Sequence, residues 1–522
     1  MARYIFVTGG VVSSLGKGVS AASLGALLQS RGYSVHVRKF DPYLNVDPGT
    51  MSPLQHGEVY VTDDGFETDL DLGYYERFLG VKLSRNDSVS GGRIYWDVLN
   101  AERRGEYLGS TVQMIPHVTN KIKEYIGVPT GTDFVICEIG GTVGDIEGTI
   151  FLESIRQFAN DIGRKNVMFT HLTLAPYLEQ SGELKTKPTQ MSVRRLLENG
   201  IQADILFVRS PRMLTQDERA KIGMFCNLPA KNVITSMDVD NIYKIPLVYD
   251  NQDVFDIMAE HFGLPNATGD MSKIQKIEHY LGADLPICTI GVVGKYFDVS
   301  DAYKSLFEAL FHAGIQNNVH VKIKKINAET VTTDDFDNVD GILVPGGFGM
   351  RGVEGKIAAA QYARENNIPY MGICLGMQVA VIEFMRNVVG DKDANSTEFE
   401  KNCTPVIDIM SDCDKEDMGG TLRLGAYPCN IKSGTLAETI YHASNISERH
   451  RHRYEVNIKY KDALEKAGMI ISGISPDGKL PEMLEIPSHK FFVAGQFHPE
   501  FQSNPFTGHP MFNAFIAASN KK

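Results

Sequence analysis

Pro369-Tyr-Met-Gly-Ile-Cys-Leu-Gly-Met-Gln378 is the stretch that decides how this chain is read. A short apolar run leads into Gly372-Ile373-Cys374-Leu375-Gly376, and an apolar helical pattern from Val379 to Met385 follows. Strand, sharp turn and helix in that order describe a nucleophile elbow. Glycines two residues either side of Cys374 let the backbone turn tightly. The turn lifts the thiol out of the sheet and sets it at a helix N-terminus, where the dipole and free N–H groups favour thiolate. A buried structural cysteine on a core strand reads the same from these residues alone.

Two other stretches separate those readings. Gly341-Ile-Leu-Val-Pro-Gly-Gly-Phe-Gly349 has the pattern of a buried strand ending in consecutive glycines, and Gly346 and Gly347 offer backbone N–H groups to a developing oxyanion. In Phe491-Phe-Val-Ala-Gly-Gln-Phe-His-Pro-Glu500, His498 and Glu500 stand two apart, so an extended backbone points both to one face. A carboxylate there orients the imidazole, which then activates a thiol. Cys374, His498 and Glu500 with an oxyanion loop make an acyl-transfer set. PGGFG, GICLGMQ and FHPE in this order resemble the class I, triad-type glutamine amidotransferases. The three together are specific; any one alone is not.

Composition bounds the rest. A chain of 522 residues exceeds one ordinary domain. Hydrophobic content of 43% and charged content of 22% fit a soluble globular protein. A net charge of -12 argues against a nucleic-acid partner held by a global positive field, while leaving room for local basic pockets. Seven scattered cysteines without CxxC spacing predict reduced thiols in a cytoplasmic protein. The N-terminal residues enter a strand pattern directly, so no signal peptide is expected. No run of about 20 apolar residues occurs, so no membrane span is expected either.

The first half opens on Tyr4-Ile-Phe-Val7, a Gly-rich loop from Thr8 to Ser20 containing Lys17, and a helical pattern from Ala21 to Leu28. Strand, glycine loop with lysine, and helix form a phosphate cradle. The match to the standard P-loop is imperfect: Gly18 stands where a serine or threonine would meet magnesium. A glycine turn of any parallel sheet is the plainer reading, but Lys17, flanked by Gly16 and Gly18, favours a nucleotide. The next strand ends at Lys39, where ligands sit in doubly wound sheets. Asp63-Asp-Gly-Phe-Glu-Thr-Asp-Leu-Asp71 is either a solvated acidic loop or a source of carboxylates for a triphosphate-bound magnesium. Phe134-Val-Ile-Cys-Glu-Ile139 places Glu138 inside an apolar run, costly unless paired or on a metal. Lys185-Thr-Lys-Pro-Thr-Gln190 is a surface loop or a triphosphate contact, and Arg449-His-Arg-His-Arg-Tyr-Glu455 suits carboxylate or anion binding by one arginine better than metal or nucleic acid.

GGVVSSLGKG, KFDPYLNVDPGTMSPLQHGEVYVTDDGFETDLDLGYYERF, CEIGGTVGDIE and KTKPTQ, joined to a class I glutaminase, resemble the CTP synthase family over essentially the whole chain. The resemblance implies ATP-dependent amination of UTP: phosphorylation of the uracil 4-oxygen, attack by ammonia, and loss of phosphate. Ammonia comes from L-glutamine at Cys374, His498 and Glu500. The family pattern puts ATP on Ser14, Leu15, Gly16, Lys17, Gly18, Val19, Lys39 and Asp71. Mg2+ falls to Asp71 and Glu138. UTP and the inhibitor CTP fall to Ser13, Asp145, Ile146, Glu147, Lys185, Thr186, Lys187, Pro188, Thr189, Gln190 and Lys221. Glutamine falls to Gly346, Gly347, Leu375, Gly376, Met377, Gln378, Glu398 and Arg453. His56 matches a histidine at the ammonia entry, and Arg423 an arginine linked to activation by GTP. The family also implies a homotetramer, with filaments compatible with activity.

The expected fold is α/β, two doubly wound, mostly parallel-sheet domains. A synthetase domain of residues 1–265 comes first, then a polar linker of 266–285, then a glutaminase domain of 286–522. Two rival readings share parts of this layout. One is another ATP-dependent amidoligase, of the cobyrinate diamide synthase type, against which HGEVYVTDDGFETDLD and KTKPTQ speak. The other is a P-loop switch or filament protein with an idle glutaminase, against which the intact triad speaks.

Overall fold

The computed structural model describes residues 2–50, 57–127, 131–180, 182–297, 302–409 and 422–520. Contacts gather into two compact units, one of residues 1–50 and 71–282, the other of residues 51–70 and 283–522.

The first unit is built on a seven-stranded parallel sheet. Its order is Val233–Met237, Ile205–Ser210, Val167–Leu174, Arg3–Gly9, Phe134–Ile139, Val35–Asp41 and Ser88–Ser90. Strands buried on both faces read as continuous apolar runs, as Tyr4-Ile-Phe-Val7 and Phe134-Val-Ile-Cys137 do. Arg3–Gly9 lies inside the sheet with one later strand on each side, so the winding reverses there. The crevice at such a reversal, beyond the carboxyl ends of the strands, is where α/β sheets bind ligands. The helix Lys17–Ser30 starts at that edge, after Gly16 at φ 92°, and is apolar or small almost all round. It is therefore buried rather than surface-lying.

The second unit carries a nine-stranded sheet. His320–Asn327, Ile287–Gly294, Gly341–Val344, Tyr370–Ile373 and Phe492–Gly495 run parallel. The sheet then continues antiparallel through Pro481–Glu485, Ile470–Ile474, Arg423–Ile431 and Asn445–His452. The parallel half follows the alternation of strands and helices in the sequence; the antiparallel half comes from short connections in the last hundred residues, which need no crossover helix.

Two stretches cross the division expected from composition. Residues 266–285 include the helix Ser272–Gly282, which buries Ile274, Ile277 and Tyr280 and belongs with the first unit. Apolar residues three apart make one helical face there despite the polar composition. The hairpin Tyr60–Val61 with Glu67–Thr68 belongs with the second unit, although it lies more than 200 residues before the rest of it.

Candidate functional site

Cys374 sits between the strand Tyr370–Ile373 and the helix Leu375–Phe384, at φ 52° and ψ −105°. Positive φ at a residue with a side chain is strained and typical of functional turns. The glycines explain how the turn closes. A Cβ on Gly372 would stand 2.7 Å from the Gly376 backbone, and one on Gly376 would stand 2.0 Å from Val344 O. The Cys374 N–H donates to Gly495 O at 2.8 Å, which ties the elbow to the strand that leads to His498.

His498 is buried, and its Nδ1 lies 2.7 Å from Glu500 Oε1. Burial opposes its charge, but the Glu500 carboxylate and the nearby Cys374 outweigh that and push the imidazole up to about 10. Gly346 packs so closely that a Cβ there would stand 2.9 Å from His498 Cε1. Cys374, His498, Glu500, Gly346 and Gly347 line one cavity of about 380 Å³, together with Phe348, Arg351 and Arg451. The Glu398 carboxylate accepts from Gly349 N–H at 2.8 Å, and burial raises its pKa although Lys295 and Arg453 counter this. The Gln378 amide is spent inside the protein, on Tyr454 O and Gln496 Oε1, and Met377 lies in the core.

The second cluster lies at the switch point of the first unit. Lys39 Nζ bonds Asp71, lies 2.9 Å from Glu138 Oε1 and 3.6 Å from Asp41 Oδ1. Burial penalises the ammonium, but the three carboxylates dominate and hold Lys39 well above the ordinary range. Tyr75 bonds the other oxygen of Glu138. Lys17 Nζ donates to Gly141 O at 2.8 Å, and burial lowers its pKa. Gly18 faces this cluster: a Cβ there would meet Asp71 Oδ1 at 2.6 Å. The departure from the standard P-loop has a steric cause, since the space for a serine or threonine is filled by carboxylate. Magnesium takes one or two carboxylates with phosphate and water oxygens, so Asp71 and Glu138 suit it. Among the described residues no larger group of metal-ligating side chains occurs.

The remaining expected contacts are mostly at the exposed crest of this edge. Ser13, Ser14, Asp145, Ile146, Glu147 and Lys187 are exposed, while Leu15 is buried. Pro188 opens the helix Lys187–Glu198, and Thr189 Oγ1 donates to Leu174 O at 3.0 Å. Lys185 pairs with Glu183, on which Lys221 also acts. Arg423 is not free in this arrangement: it lies 2.7 Å from Glu482 Oε1 and over the Tyr427 ring. His56 lies outside the described residues.

The sequence reading missed four features. Gln496, immediately before Phe497-His498, brings Nε2 to 3.6 Å from Cys374 Sγ. Lys356 is fully buried behind the loop of Gly346 and Gly347, with Nζ 2.9 Å from Pro345 O. His171 is buried between Thr8 Oγ1 and Ser192 Oγ, 2.8 Å from each. Finally, the acidic stretch divides: Asp63 pairs with Arg449 at 2.6 Å and Glu67 with Arg451 at 2.8 Å, leaving Asp71 for the lysine cluster. The alternating arginines of residues 449–453 were the available signal for that pairing, since both bind carboxylates.

Known proteins resemble the chain over its whole length. The family described as CTP synthase N-terminus matches residues 3–264, and glutamine amidotransferase class-I matches residues 298–518. CTP synthase of Azospirillum brasilense is 55% identical over 538 aligned positions, covering 99% of each chain. CTP synthase of Parvibaculum lavamentivorans is 54% identical, again over 99% of each. Among solved structures, a Trypanosoma brucei CTPS glutaminase domain with bound acivicin is 46% identical, covers 44% of this chain and 93% of its own, and has a TM-score of 0.42.

Proposed function

The chain belongs to the CTP synthase family, and we propose that its two clusters divide that reaction between them. The enzyme is a glutamine-hydrolysing, ATP-dependent ligase that converts UTP to CTP. The observation that carries the assignment of residues is the Cys374, His498 and Glu500 constellation on a strained elbow beside a glycine loop.

In the glutaminase cluster, the Cys374 sulfur attacks the glutamine side-chain carbonyl. Backbone N–H groups of Gly346 and Gly347 receive the oxyanion. His498 passes a proton to the leaving ammonia, and Glu500 keeps the imidazole aimed. Water then attacks the thioester by the same base. Glu398 and Arg453 suit the amino and carboxylate groups of glutamine by charge.

In the other cluster, Lys17 and the loop from Ser14 to Val19 cradle ATP phosphates, and Lys39 neutralises the transferred phosphoryl group. Asp71 and Glu138 would hold Mg2+, which when bound supplies charge neutralisation at the phosphates. Phosphorylation makes the uracil 4-oxygen a leaving group; ammonia then bonds to C4 and phosphate departs. The exposed Ser13, Asp145 to Glu147 and Lys221, with the partly buried stretch Lys185 to Gln190, bind UTP, and CTP as inhibitor. GTP as activator through Arg423 requires that guanidinium to leave Glu482. Exposed apolar Trp96, Leu99, Leu108, Met114 and Ile115 in the first unit support a homotetramer. Cys137, Cys226, Cys374, Cys403 and Cys429 are free thiols, which supports the cytoplasm, and among the described residues no helix is long and apolar enough to cross a membrane.

The test follows CTP formation from UTP, ATP and magnesium with either glutamine or ammonium. Cys374→Ala is expected to use ammonium alone. A variant that still uses glutamine removes Cys374 as the nucleophile, and absence of CTP from either source, with GTP present, removes the synthase assignment.

A further inference from the structure

A line of buried polar groups in the second unit ends at the Cys374 sulfur. His450 and His452 project from one face of the strand Asn445–His452, at 0% and 1% exposure. His450 Nδ1 lies 2.9 Å from His452 Nε2, and His452 Nδ1 lies 3.1 Å from Tyr454 O. Tyr454 O also accepts from Gln378 Nε2 at 2.8 Å. The same Nε2 reaches Gln496 Oε1 at 3.3 Å, which leaves Gln496 Nε2 facing Cys374 Sγ at 3.6 Å. At the other end His450 Nε2 faces Glu482 Oε2 at 3.5 Å, and Glu482 Oε1 lies 2.7 Å from Arg423.

Hydrogen counting along this line sets the tautomers. A carbonyl only accepts, so His452 Nδ1 carries the hydrogen. Neutral His452 then has a bare Nε2, and His450 Nδ1 must donate to it. His450 Nε2 is therefore bare, and it faces a carboxyl group. Both of those atoms are buried without a hydrogen-bond partner among the described residues, so one proton belongs on that contact. Burial drives His450 well below the ordinary histidine range and raises the Glu482 carboxyl to about 7. Carboxylic acid facing neutral imidazole is thus the arrangement with least buried charge.

The charged and titratable groups around Glu482 agree with one bound proton. Arg423 and Cys429 face it from the strand Arg423–Ile431, His450 from the strand Asn445–His452, Glu455 from Tyr454–Val456, and Asp477 from the turn before its own strand; His452 and His498 lie beyond His450. Arg423 is shared with Glu455, itself raised to about 7 by burial. One guanidinium balances one carboxylate, and the second acid is better neutral.

We propose that Glu482, His450 and His452 are positioning residues for glutamine hydrolysis: a proton held between Glu482 and His450 locks both imidazoles in one tautomer, and the locked line keeps the Gln496 amide N–H aimed at the Cys374 sulfur. If the proton leaves, His450 needs its hydrogen on Nε2. Its Nδ1 is then bare against His452, which must flip as well and present a bare Nδ1 to Tyr454 O. The proposal rests on Cys374 as the glutaminase nucleophile.

The experiment uses the full chain and three readouts: glutamine-dependent kcat and KM, ammonium-dependent CTP formation, and the rate of Cys374 alkylation by iodoacetamide between about pH 6 and pH 9. Cys374→Ser corrects for other thiols. His450→Leu and Glu482→Leu are expected to lower glutamine kcat and alkylation by about tenfold, with ammonium-dependent CTP formation kept within about twofold. Glu482→Gln supplies an N–H to His450 in place of the acid proton. It is expected to stay within about twofold of wild type near pH 7 and to lose one titration step from the alkylation profile. Glu482→Gln as impaired as Glu482→Leu, or His450→Leu with unchanged alkylation, overturns the proposal. Should the leucine variants fail to fold, the alkylation profile of Glu482→Gln decides alone, an unchanged profile counting against. Wild type that hydrolyses glutamine without alkylatable Cys374 sinks the triad assignment and this proposal with it.

Discussion

Gly18 lies directly against Asp71, so that a Cβ on the glycine would stand 2.6 Å from Asp71 Oδ1 and 3.3 Å from Glu138 Oε2. The loop has no room for the hydroxyl of a standard P-loop because the carboxylates already occupy it. Gly18→Ser must therefore displace Asp71, Glu138 or the loop. Misplacement by about 1 Å at a reacting centre costs on the order of 100-fold, and a loss of about that size is expected in ammonium-dependent CTP formation. Steady-state kcat at saturating ATP and UTP checks it; near-wild-type activity would show that the carboxylates are free to move aside.

Gly346 has the corresponding place in the glutaminase cluster. Its missing side chain makes room for His498 Cε1, at 2.9 Å from the position of a Cβ, and for Cys374 Cβ at 3.5 Å. Gly346→Ala is expected to push the imidazole off the thiol and to lower glutamine-dependent CTP formation by about 100-fold. With ammonium the same variant should match wild type. Equal losses with both nitrogen sources would mean that the change acts on folding.

These two glycines also mark what sequence reading reaches. The elbow, the glycine loops and the parallel strands were legible because local chemistry determines them: apolar runs punctuated by glycine have few other uses. Lys39 with Asp71 and Glu138 was legible only through family resemblance, because three separate stretches supply it. The pairing of Asp63 with Arg449 and Glu67 with Arg451 was not legible, since nearly 400 residues separate the partners and an acidic run is usually solvated. Gln496 was hidden for a different reason. An amide beside a catalytic motif carries no spacing signal, and its orientation is set by Gln378 and Tyr454 from other elements.

Lys356 makes a stability prediction with a definite sign. Burial pushes its ammonium from 10.5 down to about 7, Lys295 adding repulsion and Cys374 opposing it. A lysine whose folded pKa lies below its unfolded one destabilises the fold fully below the folded value, and the penalty fades as pH rises toward the unfolded value. Lys356→Met removes the penalty and loses one hydrogen bond to Pro345 O. The variant is expected to unfold about 3–6 °C higher than wild type at pH 6, with the gain shrinking by pH 9. Thermal scans at both pH values test this, and a gain that grows with pH would contradict it.

Arg449 holds the hairpin of residues 57–70 within the second unit. Its side chain is almost wholly buried, with Nε 2.6 Å from Asp63 Oδ1 and a guanidinium nitrogen 2.9 Å from Tyr60 Oη. Tyr60 in turn donates to Phe501 O at 2.7 Å, next to Glu500. Removing one partner of a buried pair costs about 3–5 kcal/mol when the other stays buried, but Asp63 is partly exposed and can turn to water, so the loss belongs at the lower end. Arg449→Met is therefore expected to release the hairpin before the rest of the unit. Hydrogen exchange at the amides of Tyr60 to Thr68 should quicken by about 100-fold, while exchange in the strand Tyr370–Ile373 stays as in wild type. Glutamine-dependent kcat should fall with it, because Gly57, Glu58 and Val59 line the same cavity as Cys374 and His498. Unchanged exchange in the hairpin would show that Tyr60 and Glu67 hold it without the arginine.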